Sequence, residues 1–278
     1  MNKIEIFNLD ALEFMAKIPD DTIDVLITDP PYWTLDRWRN IGTTTRLGGH
    51  SKKDLQRPEM FFETIDQAYL WDWLLEADRV LKLDGHLYIF CDDIVQPILS
   101  NWVREAKGKH RFGECHTLVW DKMTIGMGYH YRRRYEFVLF AWREKRGEKD
   151  GGRVGGFTPR KLRDLGKADV LQYKRVTGGY PTQKPAPLVA EFVTQSTRIG
   201  DTLCDPFAGS GVLAEATPFE YNCRILLNDK SPASMKWIVE NGAAKSELFG
   251  FPESFRIRDE MDPIGQESNL QTAIQNPN

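Results

Sequence analysis

The sequence has few of the features by which many protein classes are recognised. No C-x-x-C pair and no histidine cluster accompanies its four cysteines, Cys91, Cys115, Cys204 and Cys223. Neither a disulfide framework nor a zinc site is indicated, so we expect buried thiols, a reducing compartment and no bound metal. No apolar run approaches the roughly 18 residues that a membrane-spanning helix needs, and the first residues lack the core of a signal peptide. We therefore predict a cytoplasmic protein without a membrane partner.

The sequence is also short of net charge, but its charges are unevenly distributed. A total of 37 Lys/Arg and 40 Asp/Glu leaves a net charge of −3, and the 41% hydrophobic content is typical of a globular protein. Residues 130–184, however, hold 15 basic and only 6 acidic residues. A basic block in an otherwise acidic chain indicates a polyanion-binding surface, although a solvated charged loop has the same composition.

Short apolar strands alternate with helical periodicity along the chain, which predicts an α/β fold with a mainly parallel sheet. We expect strands over residues 4–7, 24–28, 86–91, 115–120, 135–142, 202–205 and 224–227. We expect helices over residues 10–18, 61–81, 94–106, 187–197, 212–217 and 232–244. The pattern predicts one domain over residues 1–250, with a mobile loop at 33–60, and a polar, poorly ordered tail at 251–278.

A glycine-rich turn, Asp-Pro-Phe-Ala-Gly-Ser-Gly at residues 205–211, lies between a predicted strand and a helix. Glycines at such a turn let the backbone approach a nucleotide-like cofactor. There is no Gly-Lys-Ser/Thr and the spacing differs from a dinucleotide fingerprint, which disfavours ATP and NAD. Asp229 ends the next strand, placed to accept hydrogen bonds from ribose hydroxyls. A tight surface turn and a helix cap are the ordinary alternatives.

A second motif ends the strand predicted over residues 24–28, where two prolines forbid continued pairing. The exocyclic amino group of a nucleobase is a poor nucleophile because its lone pair is delocalised into the ring. A carboxylate and a rigid backbone carbonyl that each accept one N–H aim that lone pair at an electrophile, and a tyrosine ring offers the base a flat face. A proline turn with a core tyrosine is the ordinary alternative. The candidate catalytic residues are Asp29, Pro30, Pro31 and Tyr32.

Three segments resemble motifs of the DNA amino-methyltransferases. In chain order, residues 29–32 resemble the catalytic motif, Thr-Gln-Lys-Pro at residues 182–185 the Lys-Pro motif, and residues 205–211 the glycine motif. The catalytic motif comes first, as in the beta class of that family, and the match spans about residues 4–244. The resemblance implies a Rossmann-like, seven-stranded, mainly parallel sheet with helices on both faces. It also implies S-adenosylmethionine as cofactor, double-stranded DNA as partner and a target-recognition insert at residues 143–180.

The resemblance also implies roles for individual residues. Asp229 would bind the cofactor ribose, Lys184 its methionine carboxylate, and Asp10 its adenine amino group. The full set of candidate cofactor-binding residues is Asp10, Ala11, Lys184, Asp205, Phe207, Gly209, Ser210, Gly211 and Asp229. Basic residues that could contact phosphates or bases, or could equally be solvated, are Arg132, Arg133, Arg134, Arg160, Lys161 and Arg163. The chain departs from the family pattern at Tyr180, a place often held by histidine, and at Asn228, where an apolar residue is frequent.

The implied reaction is direct methyl transfer to the N6 of a flipped adenine, with no cysteine nucleophile and no metal. We expect Asp29 to act as an ionised acceptor whose pKa need not be raised. Aspartate at the first catalytic position is typical of N6-adenine enzymes and serine of N4-cytosine enzymes, so N4-cytosine methylation is the close alternative. A non-catalytic DNA-binding subunit, and methylation of RNA or of a protein glutamine amide, are further alternatives. The sequence leaves a homodimer and a restriction endonuclease partner open.

Overall fold

The computed structural model describes residues 1–35, 63–105, 111–126, 130–144, 160–249 and 255–257, with only the backbone described for 242–249 and 255–257. Most of the predicted loop at 33–60 and most of the tail at 251–278 therefore lie outside the described residues. Within the described residues, no helix is long and apolar enough to cross a membrane.

The described strands form one sheet. They are β1 (Lys3–Phe7), β2 (Ile23–Thr28), β3 (Leu81–Cys91), β4 (Phe112–Asp121), β5 (Tyr135–Arg143), β6 (Val170–Gln172), β7 (Thr202–Asp205), β8 (Arg224–Asn228) and β9 (Phe255–Ile257). The helices are α1 (Ala11–Ala16), α2 (Gln67–Val80), α3 (Val95–Glu105), α4 (Ala186–Ser196), α5 (Val212–Ala216) and α6 (Pro232–Phe249). All seven predicted strands and all six predicted helices are present, with shifted boundaries.

The strand order is β6-β4-β5-β3-β2-β7-β8-β1-β9, and β5 alone runs against the others. The Rossmann-like, mainly parallel sheet is thus confirmed, but it has nine described strands where seven were expected. The additional two, β6 and β9, are three-residue edge strands. Neither is long enough to show an alternating pattern, so β6 is hidden in the basic insert and β9 in the predicted tail. Both pair parallel to a neighbouring strand, β6 with β4 and β9 with β1.

Helices cover both faces of the sheet because the central strands are apolar on both sides. In β2 every residue is buried. Leu26 packs with residues of α1, α2 and α3, whereas Val25 and Ile27 pack with residues of α4, α5 and α6. Successive side chains of a strand point to opposite faces, so β2 contributes to both layers of the core.

The parallel strands place their carboxyl ends along one edge of the sheet, called here the carboxyl edge. The loops that follow β1, β2, β3, β7 and β8 leave the sheet at this edge, next to the beginning of the reversed strand β5. Ligands of open α/β sheets bind outside this edge. The two predicted motifs follow β2 and β7, which are paired neighbours, and are therefore brought side by side.

Candidate active site

A cavity of about 1240 Å³ opens at the carboxyl edge. Most residues that the sequence assigned to catalysis or to the cofactor line it, although they are scattered along the chain. They are Asp10, Ala11, Asp29, Pro30, Pro31, Tyr32, Lys184, Asp205, Phe207, Gly209, Ser210 and Asp229. Gly211 is the exception, because it does not line the cavity.

The glycine turn after β7 is held by backbone hydrogen bonds and by one carboxylate. Gly209 has a φ of 50°, and its N–H donates to Oδ2 of Asp229 at 2.8 Å. Gly211 has a φ of 77°, and a Cβ at this position would lie 3.0 Å from Cγ1 of Ile238. The lack of a side chain at Gly211 thus lets α6 pack closely and α5 begin, and its assignment to the cofactor stays a prediction.

Asp229 follows β8 and faces the glycine turn. Besides the Gly209 contact, its Oδ1 accepts a hydrogen bond from the N–H of Ser231 at 2.8 Å, so the carboxylate is fixed in place. Burial raises its pKa. The preceding Asn228, which breaks the apolar family pattern, donates from Nδ2 to the carbonyls of Leu9 and Pro206, both at 3.1 Å. This buried amide therefore joins the loops after β1, β7 and β8.

Asp10 caps α1 at the same edge. Its Oδ1 accepts hydrogen bonds from the N–H of Leu12 at 3.0 Å and from the hydroxyl of Tyr69 at 2.7 Å. Capping of this kind satisfies one of the free N–H groups of the first helical turn. The second oxygen, Oδ2, lies 4.0 Å from Nζ of Lys230, which also lines the cavity.

The catalytic motif is rigid beyond its two prolines. The N–H of Tyr32 donates to the carbonyl of Pro30 at 3.0 Å, and the carbonyl of Pro31 accepts from the N–H of Ile65 at 2.8 Å. The hydroxyl of Tyr32 donates to the carbonyl of Phe90 at 3.1 Å. These contacts fix the tyrosine ring as a wall of the cavity. The Pro30 carbonyl therefore already accepts a backbone hydrogen bond, whereas the sequence analysis expects it to accept an N–H of the target base.

Lys184 makes an ion pair with the candidate catalytic residue Asp29. The sequence motif assigns this lysine to the cofactor carboxylate, so its partner here was not predicted. The side chain of Lys184 is only 10% exposed, and its Nζ lies 5.1 Å from the ring centroid of Phe90. Burial raises the pKa of Asp29, while the Lys184 ammonium opposes that rise. The expectation that the pKa of Asp29 need not be raised is thus corrected.

Two further charged residues extend this pair, and neither was predicted from the sequence. Oε2 of Glu136 lies 3.9 Å from Nζ of Lys184, and Oε1 of Glu136 is paired with Lys122. Together they form a row of alternating charges, called here the active-site cluster: Lys122, Glu136, Lys184 and Asp29. One signal was available, because Glu136 is the single acidic residue in the basic stretch 130–143.

Asp205, the first residue of the glycine-rich motif, lines the cavity and contacts the strand that precedes the catalytic motif. Its Oδ1 accepts hydrogen bonds from the hydroxyl of Thr28 at 2.7 Å and from the N–H of Phe207 at 3.1 Å. Burial is the largest influence on this carboxyl group and raises its pKa to about 7. The Thr28 contact also ties the end of β2 to the end of β7.

The predicted DNA-binding residues fall at two opposite edges of the sheet. Arg132, Arg133 and Arg134 precede β5 at the carboxyl edge, and Arg133 lines the cavity. Each has a contact already: Nε of Arg132 donates to the carbonyl of Gly126 at 2.8 Å, and Arg133 and Arg134 pair with Asp93 and Asp121.

Arg160 is buried at the opposite edge, where the parallel strands begin, which we call the amino edge. Its guanidinium pairs with Asp24, near the start of β2, and with Asp201, just before β7. We call these three residues the amino-edge cluster. Lys161 and Arg163 are beside it, and the guanidinium of Arg163 lies 5.5 Å from the ring centroid of Tyr221. Arg160 is thus buried in ion pairs within the fold, which argues against the predicted DNA contact, whereas the predicted contacts of Lys161 and Arg163, both exposed, stay predictions.

Comparisons with known proteins identify the family of the chain. A family model described as a DNA methylase matches residues 23–218. The Type II methyltransferase M.HhaII of Haemophilus parahaemolyticus is 28% identical over 214 residues, covering 75% of this chain and 80% of that protein. The DNA adenine methyltransferase YhdJ of Escherichia coli (strain K12) is 27% identical over 232 residues, covering 74% of this chain and 71% of that protein.

A solved structure, the M1.HpyAVI–SAM complex, shares the fold with a TM-score of 0.57 at 18% identity, and the match covers 86% of this chain and 99% of that one. The matched family region begins with β2 and ends after α5, so it contains the catalytic motif, Lys184 and the glycine turn. This chain belongs to the N6/N4 DNA methylase family.

Proposed function

We propose that this chain transfers a methyl group from S-adenosylmethionine to the exocyclic N6 of an adenine flipped out of double-stranded DNA. One observation carries the proposal: Asp29 and the glycine turn line the same cavity, although the turn begins at Asp205, 176 residues later in the chain. An amine acceptor and a nucleotide-binding turn in one cavity are what amino-methylation of a base requires.

The cavity suits S-adenosylmethionine in size and in chemistry. Its volume of about 1240 Å³ exceeds the roughly 300–1,000 Å³ of ordinary ligand pockets, so a cofactor and a base can be bound together. Asp229 would hold the ribose hydroxyls, Asp10 and Ala11 the adenine edge, and Lys184 the carboxylate. Bound there, the cofactor supplies an electrophilic methyl group on a sulfonium. The structurally similar M1.HpyAVI was solved as a complex with SAM, the same cofactor, which supports this assignment.

Asp29 and Tyr32 would act on the base. The carboxylate of Asp29 accepts one N–H of the exocyclic amine, which favours a pyramidal nitrogen whose lone pair is less shared with the ring and can attack an electrophile. As the N–CH3 bond forms and the S–CH3 bond breaks, the amine becomes cationic, and a fixed carboxylate stabilises that charge until the extra proton is lost to water. Stacking on Tyr32 contributes about 1–3 kcal/mol, which offsets part of the few kcal/mol needed to extrude a base.

The carboxyl edge also carries a surface suited to DNA. Tyr131, beside the three arginines that precede β5, is 95% exposed, and Ile125 on the same β4–β5 connection is 59% exposed. Arginines can contact the phosphates along a DNA groove, and exposed apolar side chains can fill the space that a flipped base leaves in the stack. We assign the DNA surface to this connection, and not to the amino edge.

Adenine is favoured over cytosine by the aspartate at position 29 and by the adenine specificity named for YhdJ. The family covers N6 and N4 methylation, so N4-cytosine methylation is the alternative that the experiment must separate. The Type II names of relatives favour a place in a restriction–modification system, with an endonuclease of the same site as partner.

The proposal is tested by identifying the product. DNA of mixed sequence is incubated with the purified protein and S-adenosylmethionine, digested, and analysed for modified nucleosides by mass spectrometry. We expect N6-methyladenine, and far less of it with the Asp29→Asn variant at equal reaction time. N4-methylcytosine alone overturns the adenine assignment, and no modified nucleoside with a protein that binds the cofactor favours a non-catalytic DNA-binding subunit. Long-read sequencing of DNA from expressing cells then gives the recognition site.

A further inference from the structure

The active-site cluster places Lys184 between two carboxylates. Its ammonium is paired with Asp29 on one side and lies 3.9 Å from Glu136 on the other. Glu136 is in turn paired with Lys122. Lys184 therefore retains a neighbouring anion if it leaves Asp29, which lowers the cost of exchanging that partner in a buried place.

The Lys184 pair has a consequence for the reaction. Asp29 must accept an N–H from the amine, but in this structure its Oδ2 already accepts a hydrogen bond from Nζ of Lys184. An ammonium also repels the cationic amine that forms during attack. The Lys184–Asp29 pairing thus occupies one oxygen of Asp29 and opposes the positive charge that forms in the transfer step.

The cofactor offers Lys184 another anion, because S-adenosylmethionine carries an amino-acid carboxylate. We propose that Lys184 exchanges partners on cofactor binding, from Asp29 to that carboxylate, and that this exchange frees Asp29 for the target amine. Glu136 is a positioning residue that keeps the ammonium between the two sites. This inference rests on the proposed function, since it requires the cofactor to bind in this cavity.

Competition for one lysine makes a prediction that needs no DNA. If Asp29 and the cofactor carboxylate compete for Lys184, neutralising Asp29 must strengthen binding of ligands that carry the carboxylate and no others. If the cofactor strengthens binding of the base by freeing Asp29, thermodynamic linkage requires that the base strengthen binding of the cofactor by the same factor. The exchange thus makes binding of the methyl donor and engagement of the base mutually favourable, whichever comes first.

The test uses calorimetry with two ligands. S-adenosylhomocysteine keeps the amino-acid carboxylate and has no sulfonium charge, whereas methylthioadenosine lacks the amino acid altogether. We expect Asp29→Asn to bind S-adenosylhomocysteine about tenfold more tightly than the unchanged protein, with less than a twofold change for methylthioadenosine. Lys184→Gln should weaken binding of S-adenosylhomocysteine only.

A double-mutant cycle separates competition for the lysine from direct repulsion between Asp29 and the ligand. In the Lys184→Gln background, Asp29→Asn should no longer tighten binding of S-adenosylhomocysteine. Asp93→Asn removes a carboxylate from the same cavity, one paired with Arg133 instead, and should leave the affinity unchanged. Melting temperatures of all variants check that each is folded.

Two results overturn the inference. One is an unchanged or weaker affinity of Asp29→Asn for S-adenosylhomocysteine, and the other is tightening that persists in the Lys184→Gln background. If the unchanged protein methylates DNA, either result removes the exchange and leaves the proposed function intact. If the unchanged protein binds neither ligand and methylates nothing, both proposals fail.

Discussion

Two clusters of opposite charges lie at the two edges of the same sheet, and they differ in what their charges can do. In the amino-edge cluster the side chains of Asp24, Arg160 and Asp201 are all 10% exposed or less. In the active-site cluster Lys184 is equally buried, but Asp29 is 36% exposed and faces a cavity. An ion pair sealed from ligands stabilises the fold, whereas one that opens onto a cavity can change partners.

The largest effect that separates the two clusters should come from Asp29→Asn. The variant keeps the shape of the side chain but loses the charge that stabilises a cationic amine, so we expect methyl transfer to fall by about 1,000-fold in single-turnover assays. Its melting temperature should change little, because Asp29 is 36% exposed and Lys184 keeps Glu136 as a neighbouring anion at 3.9 Å.

The matched control is Asp201→Asn, which removes a carboxylate from the amino-edge cluster. It should lower stability and leave the transfer rate of the folded protein unchanged. An Asp29→Asn variant that keeps full activity would remove Asp29 from the reaction and erase the functional contrast between the clusters.

Arg160→Met should show the reverse of the Asp29→Asn pattern, a loss of stability without a loss of function in the folded protein. The substitution leaves Asp24 and Asp201 buried without their guanidinium partner, which costs about 3 kcal/mol in the free energy of unfolding. Urea denaturation measures the loss, and Arg160→Lys should recover part of it. DNA affinity of the folded variant should equal that of the unchanged protein. Weaker DNA binding at unchanged stability would instead return Arg160 to the DNA surface.

The two clusters also show how far sequence reasoning reached. The motifs at Asp29 and Asp205 were found because each follows an apolar strand with turn-forming residues, and local pattern fixes such positions. Arg160 and Arg132 could not be told apart, because both lie in one basic stretch and burial depends on contacts distant in sequence. Arg160 meets Asp24, which is 136 residues away.

The same limit explains the missed strands and the missed glutamate. β6 has three residues and pairs with β4 through its backbone, so no side-chain periodicity marks it. Glu136 has a role only because β5 runs antiparallel and brings it to the carboxyl edge, beside Lys184. Strand direction and order come from the packing of the whole sheet, which a local pattern does not contain.

Asp205 differs from the carboxylates of both clusters, because none of its hydrogen-bond contacts within the described residues is with a cation. Since it is also buried, its protonation should make stability depend on pH. Its pKa is about 7 in the folded protein and 3.8 as the ordinary value. Between these values the folded state holds a proton that the unfolded state releases, so stability falls as pH rises. The fall is about 1.6 kcal/mol between pH 5.5 and 7, because the slope of roughly 1.4 kcal/mol per pH unit decreases as pH approaches the pKa.

Asp205→Asn should remove that part of the pH dependence, while Oδ1 of the asparagine still accepts from Thr28. Urea denaturation at the two pH values measures the difference between the variant and the unchanged protein. Asp29 and Asp229 also have raised pKa values and are present in both proteins, but both interact electrostatically with Asp205, so the difference reports Asp205 together with its effect on these two carboxyl groups. An identical pH dependence in the two proteins would place the pKa of Asp205 near its ordinary value.

The smallest effect concerns the exposed basic residues at the two edges. Arg132→Ala, at the carboxyl edge, should weaken binding to a duplex roughly threefold and reduce the slope of log affinity against log salt by about one, because one phosphate contact is lost. Lys161→Ala removes a basic side chain beside the amino-edge cluster and should change neither quantity. Neither side chain is buried in the core, so stability should not move in either variant. Equal losses from the two variants would mean that DNA reaches both edges of the sheet, and the assignment of its surface to the β4–β5 connection would be wrong.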